Sequence, residues 1–126
     1  MAGSATISTV TQSEYRFITV AWTADGSGAV SGHTISSLKD FPGVRLVQVR
    51  IVPSAVSPLP DDLYDLTVVD QYGIDLLDGQ GADLDQASGN YIVFDPPLVL
   101  MGSILDVVIA NAGSGSLGTV TLVVQE

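Results

Sequence analysis

Apolar residues recur at every second position through most of this chain, and this alternation limits its fold more than any other feature. In RLVQVRIV (45–52), Val47, Val49 and Ile51 share one face while Gln48 and Arg50 share the other. Such a period of two is typical of a half-buried β-strand. The same alternation runs through three further segments, and with one strand that is apolar on both faces it predicts the core: Ile18, Val20, Trp22, Val47, Val49, Ile51, Tyr64, Leu66, Val68, Leu105, Val107, Ile109, Val120, Leu122 and Val124.

Turn-forming residues separate these segments, as in ADGSG (24–28), DGQG (78–81) and NAGSGSLG (111–118). Glycine, asparagine, aspartate and proline favour turns at such positions. No long stretch has the apolar spacing of an amphipathic helix. The sequence therefore predicts a single all-β domain over residues 1–126, an antiparallel β-sandwich or jelly-roll-like small barrel of about eight strands.

Two segments contain more apolar residues than the single buried face of a strand requires. EYRFITVAWT (14–23) is apolar on both faces, and PPLVLM (96–101) is a continuous apolar run. Apolar surface of this kind favours burial against another subunit, and closed symmetry is usual for homo-oligomers. We expect a homo-oligomer, with a trimer as the favoured state. The interface candidates are Tyr15, Arg16, Phe17, Arg45, Arg50, Leu98, Leu100 and Met101.

The charges are distributed unevenly along the chain, whose formal net charge is −10. All four basic residues lie within the first 50 positions, and residues 51–126 carry eleven acids and no base. An anionic surface of this kind repels phosphate groups, which proteins bind through lysine and arginine. We therefore expect no direct nucleic-acid binding and no membrane binding.

The sequence has neither the pattern of an export signal nor that of a membrane-spanning helix. The apolar runs are shorter than the roughly 20 residues that a membrane-spanning helix needs, and MAGSATISTVTQSEYR has no basic start and no apolar core of a signal peptide. The chain also contains no cysteine. These features favour synthesis and residence in a cytoplasm.

The densest cluster of acids is DLLDGQGADLDQ (75–86). It lacks the ligand spacing of an EF-hand loop and ends in Gln86 instead of the bidentate glutamate. A single copy of a calcium-binding nonapeptide pattern is present, but that motif works in tandem. We interpret the segment as a solvated turn. Calcium is the one ion worth testing, with Asp78, Asp83 and Asp85 as the ligand candidates.

No catalytic constellation stands out. The single histidine, His33, is not accompanied by a G-x-S-x-G motif that would supply a nucleophilic serine. The glycine-rich segments lack the lysine of a Walker phosphate-binding loop. The acids lie in turns or on polar strand faces, where no carboxylate is marked for burial. We therefore expect no enzyme activity and no required cofactor.

Three segments together resemble small virion proteins of tailed bacteriophages: YRFITVAWTADGSGAVSG, LYDLTVVDQYGIDLLDGQGAD and VVIANAGSGSLGTVTLVV. The resemblance implies a structural protein that is made in the host bacterial cytoplasm and resides in the virion. Its expected partner is a phage coat or tail protein. It implies no site residues.

Two functions follow as expectations. The first is capsid decoration, in which a cement protein stabilises the head and residues 1–12 form either a docking arm or an ordinary first strand. The second is a tail-fibre or baseplate-associated module that binds a surface glycan. For the second, the candidate pairs of an aromatic ring with a carboxylate are Tyr72 with Asp70 or Asp75, and Tyr91 with Asp95.

Overall fold

The computed structural model of the chain describes residues 3–30, 34–35, 44–100 and 104–125. Within these ranges the regular structure consists of strands that alternate with turns, and no helix is long and apolar enough to cross a membrane. The strands are β1 (Ser4–Gln12), β2 (Tyr15–Thr23), the two-residue β3 (Thr34–Ile35), β4 (Arg45–Pro53), β5 (Asp65–Asp70), β6 (Asn90–Val99), β7 (Leu105–Ala110) and β8 (Leu117–Gln125). The predicted all-β class is confirmed.

The strands form two antiparallel sheets. The five-stranded sheet has the order β1-β2-β8-β4-β6, and the three-stranded sheet has the order β3-β7-β5. The last strand, β8, therefore lies between β2 and β4, and it pairs with both along nearly its whole length. Within the segment 1–12, Ser4–Gln12 forms a first strand that pairs with β2; use of the segment as a docking arm stays a prediction.

Buried residues from both sheets form one hydrophobic cluster. Trp22 on β2 and Tyr64, directly before β5, are its largest members, and their ring centroids lie 6.1 Å apart. Full burial of an aliphatic or aromatic side chain contributes about 1.5–3 kcal/mol. Every predicted core residue except Val47 is buried. Whether the two sheets form a sandwich or a jelly-roll-like barrel stays a prediction.

The prediction for Val47 is wrong, because β4 does not keep a strict period of two. The pairing register of β4 with both β6 and β8 shifts between Leu46 and Gln48, and Val47 has no partner in either ladder. Such a bulge adds one residue to a strand and reverses the inward and outward positions beyond it. As a result Leu46 is fully buried before the bulge, and Val49 and Ile51 are buried after it, while Val47 is half-buried.

Gly118 allows the largest core side chain to lie flat against the five-stranded sheet. It pairs with Trp22 across β2 and β8. A Cβ atom at position 118 would overlap Cζ2 of the indole and lie 2.7 Å from its Cε2. The absence of a side chain at this strand position is therefore a packing requirement of Trp22.

We expect the Gly118→Ala variant to be destabilised by about 1–3 kcal/mol, because an added methyl group in a packed core forces neighbouring atoms to move. Urea unfolding followed by tryptophan fluorescence measures this loss. Gly26→Ala is the matched control, because a Cβ at that position meets nothing within 4 Å. Equal stability of the two variants would contradict this account of the Trp22 contact.

Burial raises the pKa of Tyr64 to about 12 from its ordinary value of 10, and the negative charge of Asp85 adds to the shift. Folding therefore favours the neutral phenol, so this stabilisation is complete below pH 10 and is lost as the pH rises towards 12. We expect the free energy of unfolding to fall more steeply across this window in the wild type than in Tyr64→Phe. Denaturant titrations of both proteins at several alkaline pH values test this, and parallel curves would contradict it.

Candidate interaction surface

The acidic segment 75–86 folds as a turn whose first carboxylate is occupied by backbone amides. Oδ1 of Asp75 accepts hydrogen bonds from the amides of Leu77 at 3.1 Å and Val68 at 3.3 Å, and Oδ2 accepts one from Gly79 at 3.2 Å. Aspartate side chains favour turns because they satisfy backbone N–H groups in this way. Asp75 therefore acts in the local structure of the turn.

Residues 74–84, most of which belong to this acidic segment, cover the outer edge of β5, and we call them the edge-covering segment. The amide of Leu66 donates to the carbonyl oxygen of Gly81 at 2.7 Å, that of Asp70 donates to Ile74 at 3.1 Å, and that of Val68 reaches Asp75. Leu77 and Leu84 project from the segment into the core, where they are 0% and 3% exposed. The segment thus closes a sheet edge that would otherwise leave backbone groups unpaired.

The three calcium candidates do not converge. Asp78 is exposed, the amide of Asp83 donates to Oδ1 of Asp65 at 2.9 Å, and Oδ1 of Asp85 accepts from the amide of Ala87 at 2.7 Å. In the described part of the chain no three histidine or acidic side chains are grouped as a metal site would require. The absence of a calcium requirement stays a prediction.

Two other aspartates have the same role in turns. Oδ1 of Asp70 accepts from the amides of Tyr72 at 2.9 Å and Ile74 at 3.1 Å. The amides of Ala29 and Ser27 donate to Oδ1 of Asp25 and hold the pKa of that carboxyl below its usual value. Asp70 and Asp75, the carboxylates expected to pair with Tyr72, therefore accept hydrogen bonds from the backbone amides of turns.

The outward face of the five-stranded sheet brings together four of the predicted interface residues. Tyr15 and Arg45 both pair with Gln125, and Phe17 lies in the next row of the same face. Arg50 pairs with Thr121 on one side and with Tyr91 on the other. Because alternate residues of a strand share a face, these side chains lie on one surface, which we call the outer face.

Three other candidates do not join this surface. Arg16 pairs with the buried Val124, on the opposite side of the sheet from Tyr15 and Phe17. Leu98 pairs with the fully buried Leu46, and both Leu98 and Leu100 pack against the core. Leu98 and Leu100 thus contribute to packing within the chain, and the use of these three residues in an intersubunit contact stays a prediction. Met101 lies outside the described residues.

Two shallow grooves indent the outer face on either side of Val52, which is 51% exposed. The larger, of about 530 Å³, runs over the small side chains of Thr6, Ala21 and Thr119. The smaller, of about 390 Å³, is lined by Arg50, Ile51, Val52, Gly89, Asn90, Tyr91 and Thr121. A third cavity, of about 10 Å³ beside Tyr15 and Arg16, has room for little more than one water molecule.

Comparison with protein-family models, with curated proteins and with solved structures finds no match for this chain.

Charge separates the two sides of the molecule. The five strands of the five-stranded sheet contain one acid, Asp95, whereas the three-stranded sheet contains Asp65, Asp70 and Asp106. The segments that flank β5 add six more acids: Asp61, Asp62, Asp75, Asp78, Asp83 and Asp85. The outer face carries Arg45 and Arg50 and therefore repels another anionic body less than the side around β5 does.

The pattern of the sequence pointed to some members of this surface and not to others. Thr119 and Thr121 alternate with the predicted core residues Val120 and Leu122, so the period of two places them on the face away from the core. Oγ1 of Thr121 lies 3.1 Å from Oγ1 of Thr19. Val52 and Asn90 were not among the candidates. Their membership depends on the neighbours that the strand order gives them, which the sequence does not state.

We expect Asp75→Ala to destabilise the protein by about 1–3 kcal/mol, because the amides of Leu77 and Gly79 in the edge-covering segment and of Val68 in β5 lose their acceptor. Amide hydrogen exchange should accelerate at Val68, Leu77 and Gly79 and stay unchanged at β8. Asp78→Asn, at an exposed position of the same segment, is the control and should leave both measurements unaltered. Unchanged exchange at Val68 in Asp75→Ala would contradict the edge-covering role.

Proposed function

We propose that this chain is a non-enzymatic structural protein of a tailed-phage particle, which decorates the capsid and stabilises the head. The observation that carries the proposal is the outer face of the five-stranded sheet. It is broad, contains exposed apolar side chains and two arginines, and is formed by strands with a single acid. The resemblance of the sequence to small phage virion proteins gives the biological setting.

The separation of charge supports docking in one orientation. The acids around β5 keep the opposite side of the protein hydrated and repel anionic neighbours. Arg45 and Arg50 on the outer face offer positive charge to a partner surface, which steers association more than it adds affinity. The protein would therefore bind a coat lattice through the five-stranded sheet and present its acidic side to solvent.

A cement protein works by burying surface across the boundary between coat subunits. Removal of apolar surface from water contributes about 25 cal/mol per Å² before the costs of association are subtracted. The outer face has apolar side chains that can serve this purpose: Val52, Tyr91 and Val93 are 51%, 63% and 56% exposed. Since the strands beneath them are part of a packed core, the surface is rigid before it binds.

We further propose that the two sheets form a β-sandwich of about eight strands. The single core cluster that both sheets share supports this arrangement. Residence in the virion and synthesis in the host cytoplasm belong to the same proposal, as does self-association.

One observation favours the alternative function, a glycan-binding module of the tail. Tyr91 is 63% exposed and lies beside Arg50 and Asn90 in the smaller groove. An exposed aromatic ring with neighbouring hydrogen-bond donors is a suitable platform for a sugar ring. The carboxylate that the sequence suggested for this role, Asp95, is not among the residues that line the groove.

Location in the intact particle distinguishes the two functions. Cryo-electron microscopy of virions should show this protein in many copies on the capsid if it is a decoration protein. Density confined to the tail would support the glycan-binding alternative, and absence from purified virions would contradict both.

Binding to particles that lack the protein tests the surface itself. We expect Tyr91→Ala and Arg50→Glu each to weaken binding about tenfold or more, because aromatic and arginine side chains dominate most interfaces. Tyr72→Ala is the matched control, since Tyr72 is 64% exposed but lies on the turn after β5. Cosedimentation with such particles measures the affinity, and equal effects at Tyr72 and Tyr91 would contradict use of the outer face.

A further inference from the structure

The three long sheet edges differ in how they are protected. The edge of β5 is covered by hydrogen bonds to segment 74–84. At the edge of β6, residues 94–97 lie opposite the single residue Val47, and this irregular stretch contains Asp95, Pro96 and Pro97. Charges, prolines and bulges are the usual means by which proteins prevent strand addition at an edge.

The edge of β1 has none of these protections. Its nine residues, SATISTVTQ, include no charged residue, no proline and no glycine, and the ladder to β2 runs through all of them without a bulge. Among the described residues, no strand pairs with the other side of β1. A long, regular and uncharged edge is a template for pairing with another strand.

Burial within the chain does little to hold β1 in place. Of its nine residues only Ala5 is half-buried, and the other eight are exposed, including Ile7 at 38% and Val10 at 56%. Ordering a strand has a conformational cost at every residue, and here one ladder of hydrogen bonds to β2 is the main compensation. A second ladder of hydrogen bonds, on the free edge of β1, would add to the stabilisation of the ordered strand.

We propose that β1 is the site of self-association, where it pairs antiparallel with β1 of a second copy about a two-fold axis. The second copy is the occupant that the charges favour, because β1 is an uncharged stretch through which two chains of net charge −10 can approach. The other two long edges are protected, so within the described ranges β1 has no complementary edge on its own chain. Pairing with itself is then the closed solution.

The sequence of β1 is compatible with this symmetry. With the axis at Ser8, the central residue, Ile7 lies opposite Thr9 of the second copy and Thr6 lies opposite Val10. Pairs of β-branched residues directly across two strands are favourable. Every second residue points its N–H and C=O groups away from β2. Two copies would therefore form about eight hydrogen bonds, within the range of a typical protein interface.

The pairing would join two five-stranded sheets into one continuous sheet of ten strands. A two-fold axis perpendicular to the sheet places both outer faces on the same side and both acidic sides on the other. This inference stands independently of the proposed virion role, but it would double the docking surface. It replaces the expected trimer with a dimer, since a three-fold ring of paired strands needs two different open edges.

Analytical ultracentrifugation of the full chain, with and without a charged substitution at Ser8 on the proposed two-fold axis, tests the proposal. We expect a wild-type dimer at micromolar concentration, and a loss of affinity of at least tenfold in both Ser8→Lys and Ser8→Asp, because each places like charges face to face. An equimolar mixture of the two variants should recover the dimer. Gln80→Lys, in the acidic segment, is the matched control and should remain dimeric.

A cross-link provides the second measurement. The chain has no cysteine, so oxidation of Ser8→Cys should give a disulfide-linked dimer, whereas Gln80→Cys should not. Far-UV circular dichroism establishes that each variant is folded. A monomeric or trimeric wild type, failure of the mixed lysine and aspartate variants to associate, or absence of the Ser8→Cys cross-link would each overturn the proposal.

Discussion

The pairing of β8 with both β2 and β4 is the interaction on which the rest of the structure depends. The C-terminal strand occupies the centre of the five-stranded sheet, so neither half of that sheet is complete without it. Its alternate residues Val120, Leu122 and Val124 are buried, and Gly118 gives Trp22 the space to lie against the sheet. Because these contacts join distant parts of the chain, they close large loops and favour slow folding.

The need to cover a sheet edge explains the segment 75–86, in which the acids are most concentrated. Its aspartates and glycines make a compact turn, and its backbone satisfies the outer edge of β5. The carboxylates then have two physical effects: they accept hydrogen bonds from turn amides, and they make this side of the molecule strongly anionic. A metal is not needed to explain either effect. The contrast with the uncharged edge of β1 indicates that edges here are protected selectively.

Selective edge protection and charge separation are the structural features on which the proposed function rests. The outer face of the five-stranded sheet has exposed apolar residues and arginines, while the acids are concentrated around the three-stranded sheet. A rigid face loses little conformational freedom on binding. An acidic opposite side limits further, unspecific association. These properties suit a component of an ordered assembly, and they are compatible with both of the proposed functions.

The sequence by itself determined the all-β class, most of the strands and fourteen of the fifteen predicted core residues, because a period of two is a local property that survives in any strand order. It did not determine the bulge at Val47, which depends on how β4 fits against two neighbours. Nor could it assign Arg16, Leu98 and Leu100 to a face. Only the tertiary structure placed Tyr91 beside Arg50 and left β1 at an open edge, because strand order is fixed by packing between residues that are far apart in the chain.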